Sequence, residues 1–406
     1  MNCQLDNFFR IITYALNPEA VGELPVLVDP VNWDLMIQTA KAHNLFALFH
    51  EVAFQYPTYQ KRADYEKNTQ ISLSIIAQQV KKTESFLKLY REFLKEDLHP
   101  IVMKGIICRQ LYGKYAEHRP SGDEDILVLK EEFYIVKEFL EKRGYSCADS
   151  EITTAQLNQV EHVSFHDDKK NCVEVHINLM GRRNNLRIKM GEYFQDVFQT
   201  TQLQNIRDVQ ITTMAHTEHY LYLIMHAFKH FIGSGVGLRQ MIDVMMYQKY
   251  YESELDWEKI KTILNECHAD GYLGDVQELG MKYLGFNFNV TLPSCCSETL
   301  LDDVIEAGAF GKGDRADSIA TNIIAGAMDQ KRRSKVGTLI RAGFPSLQQM
   351  AEWTPYLNEK PWMLPIEWMR RWGRYFKRTK HYKGNLMLDS YKKSQERMEL
   401  LKKYGL

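Results

Sequence analysis

Two aspartates are spaced so that their carboxylates come close together. Asp123 and Asp125 lead into the apolar run 126–128, which is typical of a strand. Side chains alternate along a strand, so the two aspartates share a face, roughly 6.6 Å apart at a rise of about 3.3 Å per residue. At an effective dielectric constant of about 20, their charges repel by about 2.5 kcal/mol. A fold that keeps such charges together usually binds a cation between them.

A third acid follows in a later strand pattern. The segment 172–179 alternates strictly between apolar and polar residues, which predicts a strand with Glu174 and His176 on its polar face. Mg²⁺ takes oxygen ligands from a few carboxylates together with substrate phosphates. Asp123, Asp125 and Glu174 therefore have the composition of a magnesium site.

The elements around these acids alternate between strand and helix. The apolar run 101–103 predicts a strand that ends at Lys104-Gly105, and a helix-like segment and the turn 119–122 follow it. A helical pattern over 131–143 precedes a second strand pattern at 161–166, which we expect to pair with the strand of Glu174. This alternation is typical of a small mixed sheet with helices on one side.

These motifs resemble the DNA polymerase beta-like nucleotidyltransferase superfamily, and most closely its bacterial branch of largely uncharacterised nucleotidyltransferases. The sharp motifs lie within 102–179, although the resemblance extends into the helical flanks. The matching residues are Lys104-Gly105, Leu111-Tyr112, Arg119, Asp123-Glu124-Asp125 and Glu174-Val175-His176. The chain departs from the wider superfamily at two points. Lys104-Gly105 stands where Gly-Ser or Gly-Gly is found, and Glu124 stands where an apolar residue is usual.

The resemblance implies metal-dependent transfer of a nucleoside monophosphate from a nucleoside triphosphate to an unknown acceptor, either a small molecule or a protein. Asp123, Asp125 and Glu174 would be the catalytic carboxylates and the ligands of two Mg²⁺ ions, with Mn²⁺ as the alternative ion. Glu174 would complete one metal site or act as general base. The triphosphate would bind Lys104, Gly105 and Arg119. The alternative is a catalytically inactive relative that binds nucleotide or nucleic acid, and Glu124 is the feature that favours it.

Helical patterns flank this core on both sides, so we predict an α+β fold in three regions. Residues 1–97 form an N-terminal helical region, residues 98–190 the nucleotidyltransferase core, and residues 191–406 a C-terminal helical domain with a basic tail. In the first region, one long amphipathic helix is expected from Tyr65 to Leu94, preceded by two short helices on either side of His43-Asn44.

Polar residues at helical spacing in the segment 219–247 allow two interpretations. His226 and His230 lie on one helix, and Arg239 and Asp243 lie four residues apart after a break at 233–235, a spacing that lets them pair. In the first interpretation they are half-buried polar residues and an intrahelical ion pair. In the second, they line a substrate cleft over the carboxylates together with His176. A similar arrangement in the related branch supports the second.

Composition narrows the class of protein. The chain has 406 residues, of which 45% are hydrophobic and 25% charged, as in ordinary globular proteins of two or three domains. The net charge of −1 gives no general attraction to nucleic acid or membranes. Seven cysteines without a Cys-x-x-Cys motif predict reduced thiols in a cytoplasmic protein, rather than disulfides or a zinc site. No apolar stretch approaches about 18 residues, so no transmembrane segment is predicted.

The C-terminal tail is basic and aromatic. Between residues 370 and 403 it has twelve Lys or Arg against three acids, and tryptophans are interleaved with its start. Such a segment can bind nucleic acid or a membrane surface, but more often it is a surface helix that packs its tryptophans against the body. Nucleic acid is therefore a weaker candidate partner than a nucleoside triphosphate and an acceptor. A scaffold that binds only a partner protein is the remaining class.

Overall fold

The structure is a computed structural model. It describes residues 3–148, 152–157, 160–181, 184–233, 235–308, 344–347, 350–351, 354–379 and 386–406. Within these residues a single mixed sheet is flanked by helices before and after it, which confirms the predicted α+β class. One residue of the predicted break at 233–235, Ser234, lies outside the described residues, as do Lys380 and Lys383 of the basic tail.

The N-terminal region is helical, as predicted. Asn32 caps the first of two short helices by accepting the backbone N–H of Leu35, and Asn44, at a φ of 55°, separates it from the second. The predicted long helix is confirmed and runs for 31 residues. The helices are α1 (Cys3–Leu16), α2 (Pro18–Val21), α3 (Trp33–Ala42), α4 (Phe46–Ala53), α5 (Pro57–Gln60) and α6 (Tyr65–Lys95).

The described strands form one seven-stranded sheet in the order β3-β4-β5-β2-β1-β7-β6. Its centre is mixed, because β1 pairs antiparallel with β2 while β2 and β5 pair in parallel. The strands are β1 (Ile101–Met103), β2 (Glu124–Leu127), β3 (Ser146–Cys147), β4 (His162–His166), β5 (Cys172–His176), β6 (Thr201–Ile206) and β7 (Val209–Met214).

Helices connect these strands and continue after the sheet. Short 3₁₀ segments lie at Gly113–His118, Lys130–Glu132, Glu252–Glu254, Pro355–Asn358 and Pro361–Met363. The α-helices are α7 (Gly105–Gln110), α8 (Phe133–Glu141), α9 (Thr154–Leu157), α10 (Asn185–Glu192), α11 (His216–Gly233), α12 (Leu238–Tyr251), α13 (Trp257–Glu266), α14 (Asp270–Leu284), α15 (Ser297–Ala307), α16 (Leu364–Thr379) and α17 (Leu386–Lys402).

Two strands lie after residue 190, in the region predicted to be helical. Strands β6 and β7 form an antiparallel hairpin whose turn contains Arg207 at a φ of 55°. Along β7, buried Val209 and Ile211 alternate with exposed Gln210, which is a strand pattern. β7 also pairs with β1, and the Thr213 hydroxyl donates a 2.7 Å hydrogen bond to the Val102 carbonyl. The sheet therefore extends beyond the predicted core, because β7 pairs with β1, whose paired residue lies 111 residues earlier in the chain.

The two helical regions pack on each other. Side chains of α1 and the residue after it bind the end of α14, since Thr13 donates to the Tyr283 carbonyl at 3.1 Å and Asn17 to the Leu284 carbonyl at 2.7 Å. One large apolar cluster includes residues of both regions, and a second lies between the sheet, α6 and α8. Within the described residues, no helix has both the length and the apolar character needed to cross a membrane.

The basic tail is described only at its two ends. Trp368 of α16 is half-buried and donates a 3.0 Å hydrogen bond to the Pro345 carbonyl, whereas Trp362 is 70% exposed. Trp368 packs in a small separate cluster with Met350, Ala351 and Leu357, and Trp362 does not pack as expected. Side chains from residue 374 to 391 lie outside the described part of the chain, and with them five of the twelve Lys or Arg of the basic run.

A buried histidine between α3 and α4 predicts acid sensitivity. His43 is fully buried, and burial lowers its pKa to about 4. The unfolded chain takes up this proton near pH 6.5, so stability is complete above about pH 6.5 and falls as the pH drops toward 4. We expect His43→Gln to flatten this loss in urea unfolding at pH 7 and pH 5, while His99→Gln, at an exposed site, leaves it unchanged. Equal losses in all three proteins would contradict the assignment.

Candidate active site

Parallel pairing of β2 and β5 brings the predicted acids together. Asp125 in β2 lies directly opposite Glu174 in β5, and Asp123 immediately precedes β2. His176 follows two residues after Glu174 on the same strand. Ligand atoms of Asp125, Glu174 and His176 all lie within 4.8 Å of one another. The structure thus assembles three of the predicted site residues at one point on the sheet.

Asp125 is the central carboxylate of this group. Its Oδ1 accepts from Lys104 Nζ at 2.9 Å and from His176 Nε2 at 2.8 Å, and its side chain is only 3% exposed. Burial alone would raise the pKa of Asp125, but the Lys104 charge and the His176 hydrogen bond outweigh it and hold this pKa well below its usual value. Asp125 is therefore ionised at neutral pH.

The surroundings of Asp123 stabilise its ionised form less than those of Asp125 do. Burial and the neighbouring Asp125 carboxylate raise the pKa of Asp123 to about 6, and Lys104 only partly offsets them. Glu174 is half-buried, with Oε1 3.4 Å from His162 Nε2 and Oε2 3.6 Å from His176 Nε2. Asp125 and Glu174 offer closely spaced carboxylate oxygens, which fit a hard divalent cation such as Mg²⁺, while Asp123 is not in the group of atoms within 4.8 Å of one another.

Lys104 supplies a positive charge from the end of β1. Its Nζ lies 2.9 Å from Asp125 Oδ1 and 3.2 Å from His226 Nε2, and its side chain remains 18% exposed. Burial would lower the pKa of Lys104, but the Asp125 carboxylate outweighs this and raises it above its ordinary value. The ammonium group is therefore charged and lies among the residues where a triphosphate is expected.

Glu124 faces away from this group and has a structural partner. One carboxylate oxygen accepts the Ile106 N–H at 2.7 Å, and the other lies 2.5 Å from the guanidinium of fully buried Arg109. A Cβ at residue 105 would overlap the Glu124 carboxylate, which explains Gly105, at a φ of 25°. The acid that departs from the superfamily pattern thus neutralises a buried arginine. It also occupies one backbone donor, the Ile106 N–H, at the turn where phosphates are expected.

Arg119 forms an ion pair with the C-terminal helical region. Its Nε and Nη2 donate to the two carboxylate oxygens of Asp243 in α12, at 2.7 and 2.5 Å, and it is 4% exposed. The Tyr112 hydroxyl donates to the same carboxylate at 2.9 Å. The predicted intrahelical pair is present only as a 4.0 Å approach of Arg239 to Asp243. Asp243 is therefore mainly the partner of Arg119, whose donors are largely occupied.

Helix α11 brings histidines to the carboxylates. His226 Nε2 lies 3.2 Å from Lys104 Nζ and 3.3 Å from His230 Nε2. Burial and the Lys104 charge lower the pKa of His226, and burial together with the Lys229 charge lowers that of His230 to about 3. Both rings are neutral at pH 7, so His226 accepts a hydrogen bond from Lys104. The structure therefore places half-buried His226 beside Lys104, and His230 beside His226.

Arg239 is a cation with one unused donor. Its side chain is 14% exposed, and its Nε is buried without a hydrogen-bond partner among the described residues. Burial and the nearby Arg119 charge lower its pKa, whereas Asp243 and Asp123 oppose that shift. The guanidinium therefore lies within electrostatic reach of Asp123, on the side of the carboxylate group.

Residues around Glu174 were not identified as site residues from the sequence. His162 lies directly opposite His176 in the antiparallel pairing of β4 and β5, and its Nε2 is 3.4 Å from Glu174 Oε1. Glu161, just before β4, forms a buried ion pair with Lys229 of α11. The alternation of the strand pattern at 161–166 was the available signal for His162. The Glu161–Lys229 pair spans 68 residues and has no local signature.

Comparison with known proteins agrees with this geometry. No curated protein matches the chain, and no solved structure matches it. Residues 29–276 match the model of a family described as "Uncharacterised nucleotidyltransferase". This match covers more than half of the 406 residues and includes every candidate site residue named above. The chain therefore belongs to this uncharacterised nucleotidyltransferase family.

Proposed function

We propose that this protein transfers a nucleoside monophosphate from a nucleoside triphosphate to an acceptor, using divalent metal ions held by Asp123, Asp125 and Glu174. The observation that carries the proposal is the opposed pair Asp125 and Glu174 on parallel strands, with the Lys104 ammonium 2.9 Å from Asp125. Family membership supports the reaction class, and the resemblance to DNA polymerase beta-like enzymes supports Mg²⁺ as the ion.

The metal ions and the charged residues of the site would have different roles. When bound, two metal ions would supply charge neutralisation at the phosphates and a lower pKa for the acceptor hydroxyl. His176 donates to Asp125 at 2.8 Å and remains buried beside it.

 The His176 side chain is only 1% exposed. That burial and the hydrogen bond fix the orientation of the Asp125 carboxylate. Lys104 offers its ammonium group to phosphate oxygens, which is the interaction that phosphoryl chemistry needs most.

Arg239, rather than Arg119, is the arginine that we propose for the triphosphate. The Arg119 guanidinium already binds Asp243 through two nitrogens, so it would have to break a buried ion pair to reach a phosphate. The Arg239 Nε has no partner among the described residues, and its guanidinium lies near Asp123. A charged hydrogen bond to phosphate would satisfy this donor.

We expect Arg239→Ala to raise the KM for the triphosphate about tenfold or more, because a charge-assisted hydrogen bond contributes about 1.5–3 kcal/mol. The melting temperature should change little, since Arg239 makes no close ion pair that the variant would break. Steady-state kinetics on Arg239→Ala and Arg239→Lys test this, with Arg91→Ala on the exposed face of α6 as the control. A KM equal to that of the wild type in Arg239→Ala would refute the assignment.

Thermal unfolding with nucleotide tests the proposed function as a whole. A triphosphate with Mg²⁺, at about a hundred times its dissociation constant, should stabilise the fold by about 2.7 kcal/mol, and either component alone should do so weakly. Pyrophosphate release is then measured across a panel of acceptors, with self-modification included. Stabilisation without release would identify the nucleotide-binding relative. No stabilisation by any of the four common triphosphates would contradict a nucleotide site.

A further inference from the structure

A second group of metal-ligand atoms lies outside the sheet, where the segment before α15 meets α14. Asp275 of α14 is fully buried, and Cys295 and Cys296 are free cysteines that precede α15. Asp275 Oδ2 lies 3.5 Å from each of the two Sγ atoms, and the sulfurs are 3.7 Å apart. These three atoms form a nearly equilateral triangle.

The triangle has the dimensions of one face of a zinc tetrahedron. Zn²⁺ binds thiolate sulfur at about 2.3 Å and carboxylate oxygen at about 2.0 Å. Tetrahedral angles between such bonds give separations of about 3.8 Å between two sulfurs and about 3.5 Å between sulfur and oxygen. All three observed separations agree with these values to within about 0.1 Å.

The carboxylate is oriented for such a role. Asp275 Oδ1 accepts the backbone N–H groups of Cys295 and Cys296 at 2.7 and 2.9 Å and the Ser294 hydroxyl at 2.6 Å. Oδ2 therefore faces the thiols, where it also accepts the Tyr404 hydroxyl at 2.6 Å. Metal-binding carboxylates are commonly fixed by hydrogen bonds of this kind.

We propose that Asp275, Cys295 and Cys296 bind one Zn²⁺, with water as the fourth ligand. Each thiol would lose its proton to solvent as its sulfur binds the ion, and the two thiolates and one carboxylate would be neutralised in part by the metal. Cys295 is exposed, which gives the ion a path from solvent. Zinc was not expected from the cysteine spacing, because the two cysteines are adjacent and the third ligand is 20 residues earlier. The site is independent of the proposed nucleotidyl transfer.

Cobalt substitution tests this site in the full-length protein. After reduction and removal of metal by chelation, Co²⁺ should give an intense thiolate-to-cobalt charge-transfer band whose intensity corresponds to one thiolate-bound ion and that Zn²⁺ removes. Cys295→Ser and Cys296→Ser should each lose most of the band, while the control Cys147→Ser keeps it. The carboxylate and histidine ligands of the candidate active site contain no thiol, so Co²⁺ bound there gives no such band.

A second measurement needs no variant. Zn²⁺ should slow iodoacetamide alkylation of Cys295 and Cys296 at least tenfold relative to Cys147, as followed by mass spectrometry. The proposal is overturned if wild-type protein gives no charge-transfer band in excess Co²⁺, if the band persists in the Cys295→Ser/Cys296→Ser double variant, or if Zn²⁺ leaves alkylation of both residues unchanged. None of these results bears on the nucleotide site, so the two proposals fail separately.

Discussion

Asp123→Asn is expected to abolish nucleotidyl transfer, with a loss of at least about a thousandfold, while the melting temperature stays the same or rises. Burial and the Asp125 charge raise the pKa of Asp123 to about 6. Keeping Asp123 ionised at pH 7 therefore costs folding free energy. An amide of the same shape removes this cost and also removes an anionic metal ligand. Pyrophosphate release and thermal unfolding measure the two effects separately.

Asp125→Asn should lose activity to a similar extent but also lose stability. Lys104 and His176 both bind Asp125 Oδ1, and the neutral amide would leave these buried partners without their closest negative charge. Asp168→Asn, in an exposed turn, is the matched control and should resemble the wild type in both measurements. An Asp125→Asn protein with wild-type activity would exclude Asp125 as a metal ligand.

Asp243→Ala is expected to lower the free energy of unfolding by about 3–5 kcal/mol. The variant leaves the Arg119 guanidinium buried without its two hydrogen bonds, and it removes the acceptor of the Tyr112 hydroxyl. The cleft interpretation of Asp243 would predict a loss of turnover with little effect on stability. The structure changes that expectation, because Asp243 joins the sheet region to α12 through a buried ion pair.

A double variant separates loss of the pair from loss of packing. Arg119→Met/Asp243→Leu replaces both charges by apolar groups and should recover most of the stability that Asp243→Ala loses, since neither partner of the close pair is left unpaired. Urea unfolding of the single and double variants measures the difference. A cost below about 1 kcal/mol for Asp243→Ala would place the pair among weak surface ion pairs and would contradict its role in joining the two regions.

Local patterns in the sequence were enough to predict the acids but not their partners. Alternation along the two strands placed Asp125 and Glu174 on the polar faces, and parallel pairing then set them opposite each other. Arg119 and Asp243 are 124 residues apart, and no local pattern indicates that they pair. Glu124 could have been recognised as a buried acid that needs a cation, although only the fold shows that Arg109 supplies it.

A crystal structure with Mg²⁺ and a non-hydrolysable nucleoside triphosphate tests the metal site most directly. We expect the metal to contact carboxylate oxygens of Asp123, Asp125 and Glu174 together with the triphosphate, whose phosphates lie beside Lys104. A triphosphate bound elsewhere on the protein, with no metal at these carboxylates and Lys104 still paired with Asp125, would contradict the proposed nucleotidyltransferase site.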